Sequence, residues 1–335
     1  MRTLGFIVLC FLQISCSGQV KEKINGISFV ASREEVAQEH INEVLRVNAN
    51  HAAVMPFGFI RDITSPQIIH NTDRQWFGET KKGAMQYIEM LHKNGVNVMV
   101  KPQIWIWKGE FTGTLEMQSE ADWKLLESSY EDFIMTYAEM AEEAKAELFC
   151  IGTELEKFAT KRPDFWHRLI PKIRNVYKGK LTYAANWDEY PRVPFWEDLD
   201  YIGIDAYFPL CEDETPTLEN LKTGWQKWKI PMAELSSQKK KPILFTEWGY
   251  RSMDFTAHKP WLVDRHEEKV NLAAQANATK AIFEEFWKEN WFAGGYVWKW
   301  FIRHKEVGGD SDNRFTPQNK PAQEIIAEYY KSNSK

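Results

Sequence analysis

The chain contains Phe149-Cys-Ile-Gly-Thr-Glu154, a short apolar run that ends in a carboxylate, and it repeats this pattern in Ile243-Leu-Phe-Thr-Glu-Trp248. Apolar runs of this length, rich in β-branched and aromatic residues, are typical of buried β-strands. A carboxylate at the end of a buried strand is costly unless it is paired or has a chemical task. Two such carboxylates at equivalent places in a repeating pattern therefore indicate a shared site.

Strand-like segments recur along the whole chain and alternate with amphipathic stretches, such as Ala84 to Leu91 and Leu126 to Ala141. Eight strands are predicted: Ile24–Ala31, Ala52–Ile60, Val96–Ile106, Glu147–Thr153, Leu181–Trp187, Tyr201–Phe208, Pro242–Trp248 and Gly295–Phe301. Helices between successive strands imply parallel pairing, because a parallel crossover needs a dozen or more residues. The pattern predicts an α/β protein with a single (β/α)8 TIM barrel.

A doubly wound open sheet is the main alternative for alternating strands and helices. That fold would need a glycine-rich nucleotide turn after the first strand, where Gly26 is the only glycine. No second domain is evident, so we expect one catalytic domain over residues 19–335.

In a (β/α)8 barrel the active site lies where the strands end. Glu154 closes the predicted fourth strand and Glu247 lies at the end of the seventh, so both are expected at the barrel mouth. The alternation of side chains along a strand predicts two inward-facing sets: Cys150, Gly152 and Glu154, and Ile243, Phe245 and Glu247. A carboxyl pair is the usual catalytic device of glycoside hydrolases, retaining at about 5 Å separation and inverting at about 6.5–9.5 Å.

Four segments together resemble glycoside hydrolase family 113, whose characterised members are endo-β-1,4-mannanases: Ile151-Gly-Thr-Glu-Leu-Glu156, Ile202-Gly-Ile-Asp-Ala-Tyr207, Phe245-Thr-Glu-Trp-Gly-Tyr-Arg-Ser252 and Val297-Trp-Lys-Trp300. The resemblance spans all eight predicted strands. It implies a retaining (β/α)8 barrel of clan A of the glycoside hydrolases, which needs neither a metal nor an organic cofactor.

The resemblance also implies roles for individual residues. Glu154 would be the acid/base, Glu247 the nucleophile, and Tyr207, at the end of the sixth strand, would hydrogen-bond the nucleophile. Much of the clan has Asn just before the acid/base, where it contacts the sugar 2-hydroxyl, whereas this chain has Thr153. Glu156 is the rival for the acid role, but we expect it to open the following loop or helix, farther from the barrel axis.

Further side chains near the strand ends are predicted to bind substrate. Trp298 is expected as a sugar platform, because the clan places an aromatic residue at the end of the eighth strand. Lys101 and Gln103 alternate inward on the third strand, and Lys101 is either a substrate donor or half of a structural ion pair. Asn186 either binds hydroxyls or forms a turn. The remaining candidates are Trp105, Thr153, Trp187 and Trp248. Each of these tryptophans either stacks on a sugar or packs in the core.

Residues 1–18 begin with Met1-Arg2 and contain the apolar run Leu4 to Leu12, which is too short to span a bilayer. A secretory signal is therefore predicted. The sequence before Cys16 resembles a bacterial lipoprotein signal, although Gln13 stands where leucine is usual, and it implies that Cys16 is acylated. Cleavage just after Cys16 is the alternative. We expect an exported protein, either membrane-anchored by this lipid or secreted.

The formal net charge is −5 and the basic residues form no stripe, which argues against nucleic acid as a partner. Cys150 and Cys211 are the two cysteines expected in the folded part, so there is no disulfide framework. No Cys/His spacing indicates a structural metal. The expected partner is an oligo- or polysaccharide, and the expected form is a monomer.

These observations predict a retaining β-glycoside hydrolase, with endo-β-1,4-mannanase activity on mannan or glucomannan as the first expectation. Two alternatives stay open. One is hydrolysis of another β-linked glycan, such as β-glucan, xylan or a β-mannoside. The other is a surface protein that binds glycans without turnover.

Overall fold

The computed structural model of the protein describes residues 22–262 and 269–333. It contains eleven strands in these ranges: β1 (Ile24–Phe29), β2 (His51–Val54), β3 (Phe57–Ile60), β4 (Ile69–His70), β5 (Asn97–Val100), β6 (Gln103–Ile106), β7 (Leu148–Thr153), β8 (Lys180–Asn186), β9 (Ile202–Asp205), β10 (Ile243–Trp248) and β11 (Phe292–Trp300). Eight of them close into a barrel in the order β1-β11-β10-β9-β8-β7-β5-β2, with every pair parallel. The predicted (β/α)8 barrel is confirmed.

The other three strands form a small accessory sheet in the order β4-β3-β6. The predicted second and third strands are therefore wrong in length, because each breaks into a barrel strand and an accessory strand. Pro56 separates β2 from β3, and Pro102 separates β5 from β6. Proline has no N–H to donate to a strand ladder, so barrel pairing ends at these positions. The Gln103 N–H then donates to the Pro56 carbonyl at 2.9 Å and begins the pairing of β6 with β3.

Eight α-helices lie in the described ranges: α1 (Gln38–Arg46), α2 (Lys81–Lys93), α3 (Glu120–Glu143), α4 (Glu156–Lys161), α5 (Pro163–Val176), α6 (Leu218–Lys239), α7 (Leu272–Phe286) and α8 (Pro321–Ser332). Four begin at a side chain that accepts a backbone N–H of the first turn: Thr80, Ser119, Thr217 and Asn271. Strict alternation fails once, because β8 and β9 are joined by the 3-10 helices Tyr190–Arg192 and Trp196–Asp198. Three more 3-10 helices are Phe77–Glu79, Thr112–Thr114 and His304–Glu306.

Apolar side chains form two layers. The first fills the barrel interior and comprises Ile24, Ala53, Met99, Leu148, Cys150, Ala184, Tyr201, Leu244 and Tyr296. The second lies between the barrel and its helices, where α3 contributes Leu126, Tyr130, Phe133 and Tyr137 at three- and four-residue spacing. The barrel is thus a packed core, and it leaves its polar groups at the strand ends.

A register slip in β10 changes which side chains face the barrel axis. The slip lies between Phe245 and Glu247 in the pairing with β9. Below it, Leu244 points into the barrel, whereas Ile243 and Phe245 pack in the outer layer. The predicted inward position of Ile243 and Phe245 is therefore wrong. The bulge adds a residue to the strand, so that Thr246 and Glu247 both reach buried polar groups in the barrel mouth.

A similar slip lies in β7 between Cys150 and Thr153. Cys150 faces the barrel interior as predicted. Gly152 faces outward, because a Cβ added there would lie 2.8 Å from the Tyr130 hydroxyl oxygen and 3.0 Å from the Trp166 ring. The predicted inward position of Gly152 is therefore wrong, and the close approach of these two rings explains why a residue without a side chain stands there.

The predicted signal and its Cys16 lie outside the described residues. Over residues 22–262 and 269–333, the helices include none that is both long and apolar enough to cross a bilayer. Cys150 is buried and Cys211 is partly buried, and both are free thiols.

Candidate active site

Glu247, at the end of β10, receives three hydrogen bonds from side chains on three other strands or strand ends. The Lys101 ammonium lies 2.5 Å from its Oε1, and the Gln103 amide donates to the same oxygen at 2.9 Å. The Tyr207 hydroxyl donates to Oε2 at 2.6 Å. An ionised carboxylate accepts on both oxygens, so this set of donors matches it and fixes its orientation.

Asp205, at the end of β9, completes a buried charge cluster with Lys101 and Glu247. The Lys101 Nζ lies 3.2 Å from both carboxylate oxygens of Asp205, and the Thr246 hydroxyl donates to Asp205 at 2.7 Å. Burial alone would lower the pKa of Lys101, but the Asp205 and Glu247 carboxylates outweigh it and raise that pKa. Lys101 therefore stays charged and partly neutralises two carboxylates.

Glu154 follows β7 in a strained backbone conformation, with a φ of 50°. Non-glycine residues adopt this left-handed region rarely, and usually where the surroundings hold them there. Two hydrogen bonds do so here. The Glu154 N–H donates to the Ala184 carbonyl at 2.7 Å, and the Leu155 N–H donates to the Tyr183 hydroxyl at 2.7 Å.

The Glu154 carboxyl group has a pKa well above its usual range. Burial is the largest cause, followed by the negative charges of Asp205 and then Glu247, while Lys101 acts in the opposite direction. These charges act on Glu154 because its side chain converges with those of Lys101, Asp205 and Glu247 at one end of the barrel. The protonated form of Glu154 is favoured beside a carboxylate that is held by cationic and neutral donors.

A further buried carboxyl, Glu189, supports the segment that contains Glu154. Its Oε1 accepts the Tyr183 hydroxyl at 2.6 Å, and its Oε2 accepts the Asn186 N–H at 2.9 Å. Burial raises the pKa of Glu189 to about 8, although these two hydrogen bonds oppose the rise. Glu189, Tyr183 and the Leu155 N–H form a continuous chain that ends one residue beyond Glu154.

Two of the residues predicted on the third strand lie at the site, but in different surroundings. Lys101 is fully buried and lies in an ion-pair cluster. Its hydrogen bonds to Asp205 and Glu247 support the ion-pair interpretation over the substrate-donor interpretation. Gln103 is partly exposed, and its amide contacts Glu247.

The predicted aromatic residues divide between the barrel mouth and the core. Trp248 is fully buried and packs edge-on against Phe283 and Trp287 of the outer layer. Its full burial supports the core-packing interpretation over stacking on a sugar. Trp105 is 54% exposed on β6.

Trp298 and Trp187 are both partly exposed. Trp298 lies near the end of β11, and the Lys299 ammonium lies 5.3 Å from the centroid of its ring. Trp187 stacks on Trp261 with ring centroids 4.8 Å apart. The sugar-binding roles of Trp298, Trp187 and Trp105 stay predictions.

Asn186 forms a turn after β8. Its Oδ1 accepts the Trp187 N–H at 2.9 Å and its Nδ2 donates to Asp188 at 3.1 Å, which supports the turn interpretation over hydroxyl binding. The Thr153 hydroxyl lies at the barrel mouth, 3.5 Å from the Pro102 carbonyl oxygen, and is partly exposed. A long bond of this kind leaves Thr153 able to contact another group.

Glu156, the rival for the acid role, is the first residue of α4 and pairs with Arg192 through the Arg192 Nε at 2.9 Å. Its carboxylate is thus occupied by a partly exposed ion pair on the barrel rim.

Sequence reasoning missed three charged residues around the candidate site. Asp205 carried the same signal as the two glutamates, because it ends the apolar run Ile202–Asp205. Glu189 follows a strand by three residues and gave no such signal. Lys299 lies between two tryptophans and gave no such signal either; burial lowers its pKa and the nearby Glu247 carboxylate partly offsets this. Among the residues that the structure describes, no group of three or more His, Cys, Asp or Glu side chains could hold a metal ion.

Several solved structures share this fold. The β-mannanase AaManA of family GH113 from Alicyclobacillus acidocaldarius, in complex with ManMIm, superposes with a TM-score of 0.81 at 23% identity, over 93% of this chain and 98% of that chain. A complex of a GH113 β-1,4-mannanase gives 0.79 at 21% identity, over 93% and 99%. A β-glucuronidase from Faecalibacterium prausnitzii gives 0.60 at 14% identity, over 93% of this chain and 49% of that one.

No curated protein matches the chain by sequence. The sequence model of Glycoside Hydrolase Family 113 matches residues 30–320, which include every barrel strand except β1. The chain belongs to glycoside hydrolase family 113, and it is therefore a glycoside hydrolase with the (β/α)8 barrel of that family's β-mannanases.

Proposed function

We propose that this glycoside hydrolase is a retaining endo-β-1,4-mannanase, with Glu247 as the nucleophile and Glu154 as the acid/base. The observation that carries the proposal is the contrast between the two carboxyl groups. Glu247 is held by one ammonium and two neutral donors, whereas the pKa of Glu154 is raised well above its usual range. Two carboxyls with opposed environments in one site are what an acid and a nucleophile require at the same pH.

The reaction proceeds in two displacements. The Glu247 carboxylate attacks the anomeric carbon while the Glu154 proton passes to the glycosidic oxygen, which leaves as a sugar hydroxyl. The resulting glycosyl ester on Glu247 is attacked by water, which gives its proton to the Glu154 carboxylate. The ester bond breaks, Glu247 regains its charge, and the sugar keeps its β configuration.

Three neighbours would prepare Glu247 for this attack. Lys101 supplies a fixed positive charge, and Gln103 and Tyr207 each hold one carboxylate oxygen. Burial raises the pKa of Tyr207 well above its usual range, so its hydroxyl stays protonated and able to donate. Groups held in place before the reaction require little reorganisation during it.

The choice of β-mannan is supported by the family, and by the similar solved structures that are named β-mannanases. The test is the release of reducing sugars from β-1,4-mannan, glucomannan, β-1,4-glucan and xylan, with the anomer of the first product read by proton NMR. We expect release from the two mannans, internal cleavage in the product lengths, and a β-anomer first.

Three results would contradict this proposal in different ways. Release from glucan or xylan alone would assign the enzyme to another β-linked glycan. An α-anomer as first product would indicate inversion. Binding to mannan without release from any substrate would favour a glycan-binding protein that has lost turnover.

We also propose that the protein is exported and anchored by a lipid on Cys16, on the support of the sequence before that residue. The test is metabolic labelling with a radioactive fatty acid in a bacterial host. Label on the parent and none on Cys16→Ala would support the anchor, whereas an unlabelled parent in the culture medium would favour secretion.

A further inference from the structure

One face of the accessory sheet is lined by apolar side chains that reach solvent. We call this the aromatic face; its exposed members are Ile69, Trp105 and Trp107, and its partly exposed members are Phe57 and Phe59. Trp105 is 54% exposed, Trp107 is 63% exposed and Ile69 is 47% exposed. Contiguous apolar patches on a protein surface mark interaction sites or ligand-binding grooves.

Strand register places these five side chains on the same side. β3 and β6 run parallel, with Phe59 opposite Trp105, so the two rings share a face. β4 pairs with the other edge of β3, where Ile69 lies opposite Phe59 and its side chain shares the same face. The Trp107 N–H donates to the Ile60 carbonyl at 3.1 Å and extends the ladder by one residue.

The opposite face of the sheet is closed by the body of the protein. Ile60, Ile104 and Ile106 are buried there. At Gly58 the backbone approaches α3 so closely that an added Cβ would lie 2.9 Å from the Phe133 ring. The sheet therefore has one packed side and one side that presents rings to solvent, and this difference fixes the direction in which the rings point.

The aromatic face continues directly into the catalytic pocket. Gln103 lies on the same face of β6 as Trp105 and Trp107, two and four residues before them, and opposite Phe57 in the register. Its amide donates to the Glu247 Oε1 at 2.9 Å. A path of alternate residues thus leads from the proposed nucleophile outward, in steps of about 6.6 Å set by the rise of a β-strand.

We propose that the aromatic face is a binding platform for the part of a neutral β-linked glycan chain that extends beyond the cleaved bond; this inference rests on the proposed function. Flat rings suit the apolar C–H faces of pyranose sugars. The step of about 6.6 Å between alternate side chains is of the order of one sugar residue, so Trp105 and Trp107 are spaced to contact different sugars of one chain. A neutral chain fits because the rings bring no charge, and Lys108, which follows Trp107, pairs with Asp62 at 3.4 Å.

The platform accounts for action on long chains. A glycan held along β6 delivers one of its internal bonds to Glu247, whereas a short substrate ends before it reaches Trp107. The consequence is a preference for polymers that comes from the accessory sheet and not from the barrel itself.

The test compares Trp105→Ala, Trp107→Ala and the double variant with the parent on polymeric β-mannan and on a short aryl β-mannoside. We expect the double variant to lose about tenfold more kcat/KM on the polymer than on the aryl substrate, because two stacking contacts are removed from the polymer alone. Trp105→Phe/Trp107→Phe should recover most of this loss. The matched control is Ile230→Ala, which removes a side chain of 59% exposure from α6.

Equal losses on both substrates, or no loss on either, would overturn the platform while leaving the proposed function in place. Should the parent release no sugar at all, gel retardation by soluble glycans gives an independent readout. Retardation of the parent that the double variant loses would support the platform even though the proposed function fails. A parent that sediments as a dimer, with a monomeric double variant, would assign the face to a second copy of the chain and overturn the inference.

Discussion

Lys101 Nζ lies 3.2 Å from both carboxylate oxygens of Asp205, and both side chains are fully buried. The same ammonium reaches Glu247, so one cation from the end of β5 joins two carboxylates from β9 and β10. Charges taken out of water are tolerated only in such matched sets. The site is therefore held together by the same interactions that prepare it for catalysis.

Removal of the Lys101 charge should destabilise the fold. Lys101→Met leaves Asp205 and Glu247 buried without their cation, which typically costs about 3–5 kcal/mol in the free energy of unfolding. Urea unfolding of parent and variant measures this loss. In the double variant Lys101→Met/Asp205→Asn, one uncompensated charge is gone, so part of the stability should return. A single variant as stable as the parent would show that the cluster is not a balanced set.

Replacement of the nucleophile should abolish turnover but leave binding intact. Glu247→Ala is expected to lower kcat on mannan by at least about 10³-fold, the order seen when a catalytic nucleophile is removed. Retardation in gels that contain soluble mannan should persist, because the aromatic residues remain. The control is Glu156→Ala, which breaks only the rim ion pair with Arg192. Parent-like turnover in Glu247→Ala would refute the assignment.

The acid role of Glu154 predicts a dependence on the leaving group. Glu154→Ala should slow hydrolysis of mannan far more than hydrolysis of an aryl β-mannoside with an acidic phenol, because that phenol departs without a proton. The ratio of kcat/KM values on the two substrates is the measurement. A similar loss on both would leave Glu154 as a binding or positioning residue.

Asp205 should set the alkaline limit of activity through Glu154. Its negative charge is the second-largest cause, after burial, of the raised pKa of Glu154. Asp205→Asn removes that charge, so Glu154 should lose its proton at lower pH and the alkaline limb of the kcat/KM profile should move down. An unmoved alkaline limb would mean that another group limits activity there.

Much of the fold could be predicted because apolar runs and intervening helical periodicity are local in the sequence. The structure corrects the length of two predicted strands and the direction of side chains in β7 and β10, and these two corrections have different causes. Pro56 and Pro102 stand inside the predicted second and third strands, and their missing N–H groups were a readable signal for the breaks. The slips in β7 and β10 depend on how each strand pairs with its neighbour, and period-two alternation alone does not contain that information.

The site was partly readable for the same reason. Glu154 and Glu247 could be placed at the mouth because they end apolar runs, and Asp205 met that criterion as well. By contrast, the contacts of Lys101 required knowledge of which strand ends meet across the barrel, and the support of Glu154 by Glu189 and Tyr183 depends on a loop conformation.

Glu189 gives the stability of the protein a specific dependence on pH. Its pKa rises from 4.5 to about 8 on folding, so the folded state holds a proton that the unfolded state releases between these values. Its contribution to stability is therefore full below about pH 4.5 and is lost as the pH rises through about 8. Glu189→Gln keeps a side-chain oxygen that can accept the Tyr183 hydroxyl, but its amide does not titrate.

The free energy of unfolding of the parent, relative to that of Glu189→Gln, should thus fall as the pH rises. Urea unfolding at several pH values across this window should give the parent a steeper loss of stability with rising pH than the variant has. Other titrating groups are common to both proteins and cancel in the comparison. Glu324→Gln, which changes an exposed carboxylate on α8, is the control and should follow the parent. Parallel curves for parent and Glu189→Gln would mean that Glu189 is ionised in the folded protein, and that its hydrogen bonds with Tyr183 and Asn186 outweigh its burial.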